Sequence, residues 1–266
     1  MELTEGVARR FVTDAIGDYD PLAGISKPSP EAEALLPEVQ NAIRAARESA
    51  SSAIAVAQLI NRLLKISEGK STKGLWHPAA VDSLRSSLLF ASAGLDTSLK
   101  RLVKHSLPQL ASCDERVDIQ FRKWAEGRVG DIDTGAVKAK ELIQILLTAG
   151  VAPRDSLMSS WIYSLTSGSA QSAERVTELS QALGVIDVSL RKRAAPAKTR
   201  TKLQEAFDAR NEIAHELDVT DPEAGVRKPL EKIRRYRSEV KVSEWCREVL
   251  DVTQLITNDA AKRLSS

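Results

Sequence analysis

Residues 29–65 read SPEAEALLPEVQNAIRAARESASSAIAVAQLINRLLK, and their spacing decides the fold class. Ser29-Pro30-Glu31 is a helix start. Ser is the N-cap, and Pro takes the first helical position, where a missing N–H is harmless. From there Leu36, Val39, Ile43, Ala46, Ala50, Ala53, Ala57, Ile60 and Leu64 step by three and four residues. That is the period of one helix face, sustained as heptads. Much of the seam is Ala, so a partner helix can come close. The pattern predicts a long helix of an antiparallel bundle rather than an independent coiled coil.

Working outward, residues 69–78 form a turn. A second long helix is expected over 79–106, with Val81, Leu84, Leu88, Ala91, Leu95 and Leu102 on one stripe and Pro108 as its stop. Residues 109–135 read as irregular apart from a helix at 114–126. Short amphipathic helices follow near 136–149, 154–167 and 170–184. A further helix starts near Thr199 and places Leu203, Phe207, Arg210, Ala214 and Leu217 on one stripe. It ends around 218–222. The last helix spans 242–264, with Val242, Cys246, Val249, Ile256, Ala260 and Leu264 inward. Upstream, a short helix is expected at 4–16. No run of β-branched residues alternates, so no sheet is expected. The fold class predicted is all-α, an antiparallel helical bundle with additional helices. Residues 1–75 form an N-terminal extension or a bundle helix. Residues 76–266 form the main helical domain, with a helical insertion at about 109–190.

Apolar residues at 42% and charged residues at 28% suit a globular chain and exclude a disordered one. A net charge of +2 does not by itself mark a nucleic-acid binder. Its distribution says more. RKRAAPAKTRTK, residues 191–202, carries six Lys or Arg and no acid. RKPLEKIRRYRSEVK, residues 227–241, is basic as well. Either run alone reads as a solvated face, but both flank Arg210–His215. Two cysteines, Cys113 and Cys246, are too few for a bridge framework and read as reduced thiols. No stretch approaches about 20 apolar residues, and MELTEGVARRFVTD lacks an apolar signal core. No membrane partner is expected, and a cytoplasmic location is. The sequence has no glycine-rich phosphate loop, H-E-x-x-H or G-x-S-x-G, so no cofactor and no metal are expected.

Arg210 interrupts an apolar stripe with a permanent charge, so it must be paired or lie in a solvated cleft. Asn211 and His215 are four residues apart, on one helix face. Arg210 lies about 100° round, within reach of the same spot. A cation, an amide and an imidazole at one helix end suit RNA cleavage without a metal. The imidazole can exchange a proton near neutral pH. Arg can hold phosphate oxygens and stabilise charge in the transition state. Asn can orient either group. RNA supplies its own nucleophile, the 2′-hydroxyl. His77 and His105 read as structural or solvated. Trp76, Trp124, Trp161 and Trp245 read as core or interface anchors.

R-N-E-I-A-H at 210–215 resembles the R-N-x-x-x-H motif of the HEPN superfamily (higher eukaryotes and prokaryotes nucleotide-binding domains). SLLFASAGLDTSLKRLV, residues 87–103, is similar to the earlier helix of that fold, with Asp96 at its frequent acidic position. Residues 182–218 are similar to the approach to the motif, and 242–264 to the closing helix. The resemblance covers about residues 79–266 and points to the HEPN group found with bacterial defence genes and RNA-repair ligases. It implies a HEPN-type bundle and a metal-independent endoribonuclease of toxin or antiviral-defence type. Arg210, Asn211, His215 and Asp96 would form the site, and motifs would face each other in a homodimer. Asp96 would bond Arg210 or a partner's motif, or else pair with Lys100 one turn on. Arg191, Lys192, Arg193, Lys198, Arg200 and Lys202 would contact RNA, either tRNA or another single-stranded region. The alternative is an inactive binding module that partners a nucleotidyltransferase antitoxin or a defence complex.

Overall fold

Prolines and polar caps punctuate the helices of the computed structural model. It describes residues 29–71, 74–130, 139–146, 150–185, 192–193, 200–220, 228 and 230–265. The expected helix at 4–16 lies outside them. In chain order the helices are α1 (Pro30–Leu35), α2 (Pro37–Ser67), α3 (Pro78–Cys113), α4 (Glu115–Val129) and α5 (Ala139–Leu146). They continue with α6 (Pro153–Thr166), α7 (Ala173–Ala182), α8 (Lys202–Glu216), α9 (Leu230–Ile233) and α10 (Glu239–Leu264). The described residues are helices and turns, with an isolated bridge between Val219 and Arg234.

Helix α3 is the axis. Its C-terminal half meets the start of α2 through Arg101 and His105 on Glu38, and its N-terminal flank meets the end of α2 through His77 on Asn61. The two helices are therefore antiparallel. Helix α10 runs parallel to α3, since Cys246 lies against Ser87 and Arg263 bonds Asp114. Helix α8 packs on both α3 and α10. One buried cluster runs from Leu36 to Leu264, so α2 shares the core of the later helices. Each fully buried Leu in it contributes about 1.5–3 kcal/mol. Helices α4, α6 and α7 pack around α3, with the Phe121 and Trp161 rings tilted at 36° and 5.5 Å apart. Cys246 is buried against Ser87, and burial pushes its thiol up to about 12.

Several details depart from the pattern of spacing. Pro108 does not stop α3, which runs on to Cys113. Pro108 and Lys104 are both exposed, so the carbonyl deprived of its donor faces water. The first helix is interrupted at Leu36, which keeps helical angles of φ −93° and ψ −15°, because Pro37 has no N–H to continue the ladder. The seam of α2 also drifts. Leu36, Val39, Ile43, Ala46, Ala50 and Ala57 are buried, but Ile54, Asn61 and Lys65 replace Ala53, Ile60 and Leu64. A straight helix slips about 20° per heptad against a seven-residue repeat. Over this length the slip approaches one residue position, so each later contact falls one residue on. On α8, Leu203, Phe207 and Ile213 are buried, while Ala214 and Leu217 are exposed. The Ala-rich seam is spent on α3, where the Ala46 Cβ fills the space a Cβ on Gly94 would need. It is thus closed to a second chain. Among the described residues, no helix is long and apolar enough to cross a membrane.

Candidate functional site

Thr201 opens α8 by accepting from the Gln204 N–H at 3.1 Å. At the other end Leu217 and Asp218 both adopt the left-handed conformation, at φ 51° and 60°. Non-glycine residues pay roughly 1–2 kcal/mol each for that. Here buried ion pairs offset it. Arg85 Nε donates to Asp218 at 2.7 Å, and Arg237 Nη2 does so at 2.6 Å. Burial pushes the Asp218 carboxyl upward, but hydrogen bonds and charges from Arg237 and Arg85 outweigh it and leave it below 3.8. The Arg235 N–H bonds the Asp218 carbonyl, and the Thr220 N–H bonds that of Ile233. The end of α8 is thus sewn to residues 233–237.

On this fixed helix end the motif converges. Arg210 Nη1 donates to Asn211 Oδ1 at 2.9 Å and lies 3.4 Å from His215 Nε2. A guanidinium can only donate, so in this arrangement Nε2 is the acceptor and the ring proton sits on Nδ1. Nε2 is then the nitrogen able to take a proton. Asn211 and His215 are exposed, and Arg210 is half-buried. Arg210 Nε is shielded from solvent and makes no hydrogen bond among the described residues.

Asp96 is not brought to this cluster. Its carboxylate accepts from Lys100 Nζ at 2.9 Å and from the Ala170 N–H at 2.6 Å, which fixes the turn between α6 and α7. The pairing one turn on is the contact formed, and none with Arg210 is. His77 is the N-cap of α3, its Nδ1 accepting from Ala79 N–H, and its Nε2 pairs with Glu68. His105 pairs with Glu38. Both have structural partners.

The basic residues fall into two sets. Lys192 and Lys202 are exposed. Arg193 lies near Glu248 and Asp251, at 3.8 and 4.0 Å, and Arg200 pairs with Asp208. Arg191 and Lys198 lie outside the described residues. Lys202 starts the helix that ends with the motif, so about 20 Å of helix separates it from His215. The second run was expected to be a flanking positive field, but it is largely consumed. Arg235 grips Glu212 at 2.7 and 2.9 Å, Arg237 bonds Glu212 at 2.5 Å, and Lys241 bonds Glu205 at 2.7 Å. The Lys241 hydrogen bond holds Glu205 below its ordinary range. Arg237 and Lys241 each also lie 5.5 Å from the Trp245 ring. Helical spacing does not reveal these positioning residues. Their signal was the row of acids at 205, 212 and 218, facing bases at 235, 237 and 241. Among the described residues, no group of three or more His, Cys, Asp or Glu is arranged to hold a metal ion. Compared with family models, with curated proteins and with solved structures, the chain matches none.

Proposed function

We propose that this chain is an endoribonuclease of HEPN type that cuts RNA without a metal, using Arg210, Asn211 and His215. The observation that carries the reading is the contact of one guanidinium with both Asn211 and His215 at the exposed end of α8. In the proposed reaction His215 Nε2 takes the proton of a ribose 2′-hydroxyl. The oxygen attacks the adjacent phosphorus in line, and the bond to the 5′-oxygen breaks. That oxygen receives a proton from an acid, leaving a 2′,3′-cyclic phosphate and a 5′-hydroxyl. Arg210 turns from His215 to the phosphate, where extra negative charge develops. Asn211 keeps it aimed.

One motif holds one imidazole, and the reaction gains from both a base and an acid. Asn211 and His215 also lie in solvent, whereas charge stabilisation is strongest where water is excluded. A second copy of the chain would supply both the second His215 and the cover. An antitoxin or other defence protein would then restrain the assembled site.

The test is to express the wild-type chain beside Arg210→Ala and His215→Ala and follow growth arrest and RNA fragmentation. Each substitution should lower cleavage about 100- to 10,000-fold while helical content is unchanged. Cleavage should persist in EDTA. Full activity in either variant would remove these residues from the chemistry. A wild-type chain that binds RNA but never cuts it would leave a binding module.

A further inference from the structure

A second feature abuts the motif helix. Between the start of α3 and the segment after α9 lies a cavity of about 250 Å³. Its walls include Trp76, Tyr236, Arg234, Arg235, Asp82 and Arg85. The Trp76 backbone N–H donates to the Tyr236 hydroxyl at 3.1 Å, so both residues line the same wall. Tyr236 is 44% exposed although nothing in the core requires it there. The start of α3 contributes no free donor of note, since His77 already caps it.

The four cations of this corner differ in freedom. Arg85 and Arg237 are locked on buried Asp218, and Arg235 holds Glu212. Arg234 Nε donates to the Leu217 carbonyl at 2.9 Å, and Nη1 lies 3.4 Å from the Asp82 carboxylate. Its outer nitrogens face Asp82, at 3.0 Å. Asp82 is itself more than half exposed and also takes Arg85 Nη1 at 2.7 Å, so it keeps a cation when Arg234 lets go. A phosphate can therefore displace Asp82 from Arg234, on a fork whose geometry suits phosphate oxygens. Leu217, the anchor of Arg234, is two residues from His215.

We propose that this cavity is a nucleotide subsite, taking one base of a single-stranded RNA on Tyr236 and Trp76 and the neighbouring phosphate on Arg234. It rests on the reading of the motif as an RNA-cleaving site. The cavity holds one planar base, not a duplex groove. Stacking of this kind is tolerant of base identity, so the subsite positions the strand beside His215 more than it reads sequence.

The experiment measures binding in the His215→Ala chain, where cleavage cannot obscure it. A short fluorescein-labelled single-stranded RNA is titrated and followed by anisotropy at several salt concentrations. Tyr236→Ala should weaken binding about tenfold or more, and Tyr236→Phe should stay within about twofold. Arg234→Gln should weaken binding and reduce the salt slope by about 0.7, the effect of one phosphate contact on a single strand. Equal binding by the parent, Tyr236→Ala and Arg234→Gln overturns the subsite and leaves the cleavage reading intact. Loss of binding in Tyr236→Phe as large as in Tyr236→Ala also overturns it, since the ring would not be the contact. Unchanged RNA binding with an altered sedimentation mass makes the cavity a protein interface instead, and the subsite falls. A wild-type chain whose binding depends on Tyr236 but which never cuts RNA keeps the subsite and removes the nuclease. A parent that binds no RNA removes both.

Discussion

Asp218 carries more of the motif's geometry than any residue of the motif itself. It is buried, sits at φ 60°, and answers two guanidiniums. Removing its charge takes from Arg85 and Arg237 the buried anion they share and leaves them the more exposed Asp82 and Glu212. Asp218→Asn is therefore expected to cost about 1–3 kcal/mol at neutral pH, read by chemical denaturation. The pH dependence has a definite sign. The folded carboxyl is held below its ordinary value of 3.8, so its contribution is fully present above that pH. It fades as pH falls through the lower, folded value. The gap between wild type and Asp218→Asn should thus close below about pH 3.8. A gap that instead widened in acid would mean the pairs do not stabilise the ionised carboxylate. At the same scale, the loss of cleavage in Arg210→Ala and His215→Ala tests chemistry rather than folding, because neither side chain is fully buried.

Helices α2 and α3 meet most closely at Gly94. A Cβ placed there would lie 2.0 Å from the Ala46 Cβ, far inside contact distance. Two backbones can approach this closely only because one of the facing residues has no side chain. Gly94→Ala should destabilise the protein by about 1–3 kcal/mol through overpacking, despite the better helix propensity of Ala. Adding Ala46→Gly removes the clash and leaves the new methyl 3.5 Å from the Ala46 Cα, an ordinary contact. The double variant should therefore return to within about 1 kcal/mol of wild type, since the two propensity changes cancel. Thermal melts of the four chains complete the cycle. Additive losses would show that the two positions do not touch.

At the scale of the whole molecule, α2 presents a second apolar face that the bundle leaves uncovered. Val56, Leu59, Leu63 and Ile66 are exposed and spaced by three, four and three residues. That is the a/d spacing of a short helix–helix seam. Its lower end adjoins the start of α3, through Asn61 and His77, and the start of α10, through Gln58 and Glu239. The end of α8 is tied to the same corner through Arg85 and Asp218. A two-fold contact here is the expected route to a paired motif. Leu59→Glu with Leu63→Glu should yield monomers by sedimentation and lower cleavage with them. A mixed dimer of wild-type and His215→Ala chains should cut far more slowly than the wild-type dimer. A monomer with full activity per chain would end the composite-site reading.

Helices were legible from spacing alone, because a buried face must repeat near 3.6 residues whatever it packs against. Val81, Leu84 and Leu88 on α3, and Val242, Cys246 and Val249 on α10, are buried as their period requires. The proximity of Arg210, Asn211 and His215 was legible too, since they lie within six consecutive residues of one helix. Three things needed the tertiary structure. The drift of the α2 seam arises because a straight helix does not keep a seven-residue repeat over 30 residues. The diversion of Asp96 to Ala170 depends on a turn 74 residues away in sequence. The fate of the second basic run depends on which acids fold against it: Arg235 and Arg237 meet Glu212, while Arg234 meets the more exposed Asp82. Charge is read from composition, but whether it is free for a phosphate is decided by what neighbours it across the fold.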